Sequence, residues 1–374
     1  MAKINSRSPY FINEAQSGLQ EVRVKIWIYS GSQYNDGNRP ATPTYSLFTN
    51  AIDEKASIDI SGLVDDYLAT NFDGIYFTRN YWVDYQVILT VNNTIPFPVM
   101  YQSRGFYGYG YFEDGINPEN NQGLLQSNTE VLKFADTPVV VPVDTSITTS
   151  VAYLSQGEIV YSDLITPSTS SSGQIKYVTS GVNGADFFES RVILSGGSFE
   201  GSSCLSSFED EFDLFDFDSI HVSGSDGLSI INVQNVEECK YEPIKMTFVN
   251  KFGALQSIWF FKTSRLSMET TKESYRANIM AYQSSYSTSR HQYTNMIKTG
   301  RESLSVNSGF YPESNNEVFR QLMLSKDVWI YYNNKTLPVS IESKEIKFKT
   351  SLNDSLIQYS LDLKFAYDKI NNVR

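Results

Sequence analysis

The side chains able to do chemistry in this chain are few and scattered. His221 and His291 are its two histidines. Neither sits in a metal spacing such as HExxH or in a Cys/His cluster. Cys204 and Cys239 are the two cysteines; so few thiols in 374 residues give no disulfide framework, and two isolated thiols are the simpler reading, although a meeting of the two in the fold stays open. No Gly-x-Ser-x-Gly elbow, phosphate-cradling glycine loop or dinucleotide fingerprint occurs. Acids are abundant, and a glycosidase needs only two carboxylates roughly 5–10 Å apart, but no local pattern singles out a pair. The densest acidic stretch, Phe208–Asp218, mixes four Phe with six Asp and Glu. Calcium favours oxygen clusters of this kind, yet the EF-hand spacing and its glycine pivot are missing. That stretch therefore reads as a solvated acidic edge with Phe anchored inward. The expectation is no enzyme, no cofactor, no catalytic residue and no bound metal.

Two stretches offer contact chemistry instead. Tyr101–Gly115 interleaves Tyr101, Phe106, Tyr107, Tyr109, Tyr111 and Phe112 with Gly105, Gly108 and Gly110. Aromatics give rigid, amphipathic contact area, and alternating glycines weaken a strand. The segment reads as a contact loop for a sugar or a neighbouring subunit, or as a loop packed on its own domain. The second stretch is Tyr241–Phe261, a hairpin with arms at Ile244–Val249 and Leu255–Phe261. Its turn is Asn250-Lys251-Phe252-Gly253, where Asn and Gly supply conformations that branched residues resist. The return arm, with Ile258, Trp259, Phe260 and Phe261, is apolar enough to be covered on both faces. Asn250, Phe252, Gly253 and Trp259 are its structural residues.

The elements that must position these stretches are mostly strands. Glu21–Tyr29 and Trp82–Val91 alternate apolar and polar residues, as half-buried strands do. Ser61 reads as the cap of a short helix over about Gly62–Ala69. Val151–Leu154 and Glu158–Tyr161 form a hairpin around Gln156-Gly157. Later come a strand near Tyr275–Tyr282, a turn at Gly300 and a short strand at Glu302–Asn307. A helix over Glu313–Leu324 follows Pro312. Val328–Tyr332 and Leu337–Ile341 flank a turn at Asn333-Asn334, and Ile346–Thr350 pairs with Gln358–Tyr367. Repeated short strands with turn signals read as β-sandwiches. The division is an N-terminal sandwich at 1–135, a middle sandwich at 136–240 and a β-rich assembly domain with one helix at 241–374.

The net charge of −12 argues against a nucleic-acid surface, which needs Lys and Arg to neutralise phosphates. No stretch reaches the roughly 18 apolar residues of a membrane span. The N-terminus has no apolar core of the kind a signal peptide needs, so synthesis in a cytoplasm is expected.

Asn235–Ser264 resembles a segment in virion proteins of tailed bacteriophages that infect Bacteroidota. The matching pieces are Glu238-Cys239-Lys240-Tyr241, Phe248-Val249-Asn250-Lys251-Phe252-Gly253 and Trp259-Phe260-Phe261-Lys262. Ile4–Ile12, Val24–Tyr29 and Ala56–Leu68 are similar to the opening domain of those proteins. Ser308–Ile330, Leu337–Ile341 and Ile357–Asn372 are similar to their C-terminal region. The resemblance implies a tail or baseplate component with immunoglobulin-like sandwiches, and it carries over no catalytic residue. On that reading the chain is a hub, ring or adaptor in the virion tail, made in the host cytoplasm. Its partners would be copies of itself and other tail proteins. A receptor-binding or fibre protein touching a host glycan is the alternative, and a bacterial surface module is a third.

Overall fold

The computed structural model of the chain describes residues 3–29, 39–92, 94–118, 123–134, 137, 139–167, 172–179, 218–225, 227–280, 286–348 and 356–370. These residues are mainly β and form several sheets. They fall into two compact units. The first holds Met1–Glu237, Thr247–Trp259 and Ser314–Lys326; the second holds Glu238–Met246, Phe260–Glu313 and Asp327–Arg374.

The first unit begins with a sheet of β1 (Lys3–Asn5), β2 (Glu21–Tyr29), β3 (Tyr45–Asn50), β4 (Trp82–Val91) and β5 (Thr94–Phe106), in the order β1-β5-β4-β2-β3. Alternation decides the buried face. Val22, Val24 and Ile26 of β2 point inward with Val83, Tyr85, Val87 and Leu89 of β4, while Arg23 and Lys25 are exposed. That face is covered by a ribbon of Phe11–Ala15 with Lys55–Asp59 and by the one-turn helix α1 (Ser61–Asp65), through Ala56, Ile58, Ile60 and Val64. The layering is sandwich-like. β1 joins in parallel beside β5, with Asn5 opposite Phe106.

The same plan recurs downstream. β6 (Glu130–Phe134), β7 (Thr149–Ser155), β8 (Glu158–Ile165), β9 (Ser219–Gly224) and β10 (Gly227–Val236) form a sheet ordered β6-β10-β9-β7-β8. A ribbon of Val140–Val143 with Lys176–Thr179 adds Val141, Val143 and Val178 to a core with Val151, Tyr153, Ile220, Val222 and Ile231. The expected β7–β8 turn is present, with positive φ at Gln156 and Gly157. Ser172–Gly173 returns to pair with Val83 and Trp82 of the first sheet. The central hairpin, β11 (Ile244–Val249) and β12 (Leu255–Phe260), has its turn in this unit.

In the second unit β13 (Arg265–Arg276) and β14 (Tyr293–Pro312) form a long antiparallel ribbon. Helix α2 (Asn316–Leu324) follows in the chain and belongs to the first unit. β15 (Val328–Tyr332), β16 (Lys335–Ile341) and β17 (Leu356–Phe365) complete the second unit's sheet, β17 lying between β16 and β14. Asn333 and Asn334 both have positive φ, the two-residue turn that suits a right-twisted hairpin.

Several expected elements are corrected. α1 ends at Asp65 and Ser61 is its first residue, not its cap; Asp59 Oδ1 accepts from the Ser61 N–H, the Ser61 hydroxyl and the Tyr10 N–H, at 2.9, 2.8 and 3.1 Å. The second helix begins at Asn316, after a 3₁₀ turn at Glu313–Asn315. Gly300 makes no turn. β14 runs straight through it, paired with Thr270 of β13, and the Met268 side chain lies over the position that a Cβ would occupy. The strand expected near Tyr275 is the end of β13. Residues 346–348 form no strand, and the Asn353-Asp354-Ser355 turn lies outside the described residues. Among the described residues no helix is long and apolar enough to cross a membrane.

Asp59 holds three donors on one carboxylate oxygen at the junction of ribbon and helix. Asp59→Ala is expected to destabilise the protein by about 1 kcal/mol, and Asp59→Asn by less. Chemical denaturation followed by circular dichroism reads both, and an unchanged Ala variant would rule out the capping role.

Candidate functional site

The two stretches that sequence singled out meet in the first unit. The loop after β5 runs between the N-terminal segment and the turn of the β11–β12 hairpin. On one side β1 continues alongside it: Ser6 N–H donates to Phe106 O at 2.8 Å, Arg7 N–H to Gly108 O at 2.9 Å, and Gly110 N–H to the Ser8 hydroxyl at 2.8 Å. On the other side the Tyr109 N–H donates to Lys251 O at 2.9 Å. The interleaved glycines allow this approach. A Cβ on Gly108 would lie 2.6 Å from Asn5 Oδ1 and 3.1 Å from Lys251 O. Glycine alternation here serves close packing, which reverses its reading as a loosened backbone.

The hairpin turn is fixed by a buried amide. Asn250 is fully buried, and its Oδ1 accepts from the Phe252 and Ala254 N–H groups at 3.0 Å each. Its Nδ2 donates to Leu125 O at 2.7 Å and to Gln256 Oε1 at 3.0 Å. Gln256 Nε2 donates to Asn128 Oδ1 at 2.8 Å, and Asn128 Nδ2 donates to Asn315 Oδ1 at 3.2 Å. The chain of amides ties the turn to the start of α2. Gly253 has φ +78°, and a Cβ there would stand 1.5 Å from Tyr107 O. Phe252 is buried, and the Trp259 ring lies 5.9 Å from that of Phe134.

The loop's side chains are mostly engaged within the unit. The Arg7 guanidinium lies over the Tyr107 and Tyr109 rings, at 5.3 and 4.9 Å. Its Nη1 is buried with no hydrogen-bond partner among the described residues, so the ring faces are what offset its burial. Lys251 Nζ sits 2.9 Å from Asp114 Oδ2 and 4.2 Å over the Tyr111 ring. The Tyr111 hydroxyl donates to Glu317 Oε1 at 2.6 Å, which also accepts from Gln321 Nε2 at 3.0 Å. Gln321 Oε1 in turn accepts the Lys251 N–H at 3.1 Å. Burial, then the contact with Glu317, pushes the Tyr111 phenol above the usual tyrosine range, and burial pushes that of Tyr109 up against the pull of Arg7. The hydrogen bond from Lys251, followed by the Tyr111 N–H, lowers the Asp114 carboxyl.

Of the six candidate contact aromatics, Phe106 must be corrected. It is fully buried, opposite Trp82 in the β4–β5 pairing, with its ring 5.3 Å from that of Tyr81. The side chain of Tyr101 lies outside the described residues, as do Cys204 and all of Phe208–Asp218 except Asp218. Tyr107, Tyr109 and Tyr111 are half-buried. Phe112 is 98% exposed, and Ile116 beside it is 78% exposed. Sequence reading missed Arg7, Gln321 and Glu317. They are remote in sequence from the aromatics they serve, and no short-range pattern marks them. Among the described residues no group of three or more His, Cys, Asp or Glu is placed to hold a metal.

No model of a known protein family matches this chain, and no curated protein matches it.

Gly253→Val combines a positive φ with a clash against backbone. The expected loss is about 3 kcal/mol or more, read as a fall in the denaturation midpoint; wild-type stability would show that Tyr107 can move aside. Lys251→Met should raise the Asp114 pKa. The contribution of this contact is present above the ordinary carboxylate pKa and is lost as pH falls through the lowered one. Carboxyl-carbon NMR titration of both proteins checks the direction, and an unshifted Asp114 would show that Lys251 does not stabilise the carboxylate.

Proposed function

We propose that the chain is a structural component of a bacteriophage tail: a hub, ring or baseplate adaptor, built on immunoglobulin-like sandwiches, that self-assembles and joins neighbouring virion proteins. It acts without catalysis or cofactor, and it resides in the virion tail after synthesis in the host cytoplasm. The resemblance over most of the chain supports this reading. The observation that carries it is the β13–β14 ribbon. All 12 residues of β13 are exposed, and so are most residues of β14 up to Lys298. A two-stranded ribbon without a layer on either face is marginal in water, and a free edge strand is a template for pairing. A chain that ends up covered by neighbours keeps such an arm for a purpose.

The receptor-binding reading retains one supporting observation, the exposed pair Phe112 and Ile116 beside Glu113 and Asp114. Stacking on a sugar needs an open aromatic face, and Phe112 has one. Tyr107, Tyr109 and Tyr111 support that reading less, since their rings are engaged with Arg7, Lys251 and Glu317.

Electron microscopy of the purified protein separates the readings: rings are expected, and elongated trimers would favour the fibre. Phe112→Ser with Ile116→Ser should fold normally and enter particles less well. Particles that assemble normally and lose host adsorption would move these residues to the receptor reading.

A further inference from the structure

The exposed arm has a charge opposite to that of the chain that carries it. From Thr270 to Thr299 the sequence holds Lys272, Arg276, Arg290 and Lys298 against Glu273 alone, a net +3 in a chain of −12, which leaves −15 for all other residues. Lys272 and Lys298 stand directly opposite each other across the ribbon, both exposed. Like charges in that register repel on a shared face. Arg276 adds a third positive charge on the same side of β13, two places beyond Ser274 and four beyond Lys272. The ribbon's irregularity falls on β14, where Met296 is the extra residue, so β13 keeps a regular edge free of proline or bulge. Exposed Tyr275, Tyr293, Met296 and Ile297 give the same part of the arm apolar anchors beside its lysines.

We propose that this arm docks on a second copy of this chain, whose other residues carry the opposite net charge. The inference rests on the reading that the chain self-assembles and names the surface through which it does so. Arm-to-arm pairing would bring two basic faces together, so the contact is heterologous: the arm of one copy against the body of the next. Such contacts close into a ring where the rotation permits and otherwise run on as a filament. Lys272 and Lys298 find acidic partners there, and the repulsion across the ribbon is relieved.

Lys272→Glu tests this with a signature that a purely structural role would not give. It converts the like-charge pair with Lys298 into an opposite pair, so the arm should be at least as stable as before, while its net charge drops from +3 to +1. Sedimentation of the full-length purified chain should show oligomers that weaken as salt rises. Lys272→Glu should weaken self-association about tenfold or more with an unchanged melting temperature, and Lys272→Arg should behave as wild type. A wild-type oligomer that Lys272→Glu leaves intact would overturn docking through the arm while self-assembly stands. A wild-type chain that stays monomeric at every concentration and salt would overturn both the docking and the self-assembly reading, and would assign the arm to a different acidic partner.

Discussion

The Asn250 side chain is the constraint on which the first unit depends. A fully buried amide must find partners for its oxygen and for both hydrogens, and unpaired it would cost several times what a satisfied one contributes. Asn250 meets that demand by turning back on its own hairpin, to Phe252, Ala254 and Gln256, and outward to Leu125 at once. The turn conformation, the placement of the segment around Leu125–Asn128 and the approach of α2 are thereby linked. Buried networks of this kind specify one arrangement more than they add stability.

The aromatic loop rests on that arrangement. Its backbone is bonded to the N-terminal segment on one side and to Lys251 on the other; Arg7 covers its tyrosine rings, Glu317 accepts from Tyr111, and Lys251 pairs with its Asp114. What reads in sequence as a glycine-loosened contact loop is a packed seam inside the unit, with Phe112 exposed among the loop's described aromatics. The exposed apolar and basic surface lies instead on the β13–β14 arm, whose sequence is polar enough to pass as an ordinary edge.

The legible parts of the fold were those written in short-range pattern. Period-two alternation placed β2 and β4 and their inward faces, and Asn-Asn and Gln-Gly marked two hairpin turns with positive φ. The Asn250–Gly253 turn was readable for the same reason. The arm was legible only in part: Ser267–Ser274 reads as extended and Glu302–Asn307 as a strand, but a ribbon with both faces in water has no alternation to show its length, and Gly300 then looked like a turn. The meeting of loop and hairpin was not legible. Tyr111 and Glu317 are 206 residues apart, and Tyr109 meets Lys251 through backbone groups that carry no residue signature. Phe106 was misread because composition groups it with its neighbours, whereas strand geometry ends just after it.

The first unit is discontinuous in the chain, and its last piece is α2. On the ribosome, the N-terminal sheets and the hairpin emerge long before Gln321, the residue whose side chain accepts the Lys251 N–H and donates to Ser127. Domains generally fold from the N-terminus as they are synthesised, but this unit cannot close in that order. Until translation passes α2, the nascent chain lacks the contacts of Gln321 to Lys251 and Ser127 and of Asn315 to Asn128. Closure of the seam therefore waits for α2 to emerge, and a chain cut before Gln321 lacks the side chain that answers the Lys251 N–H.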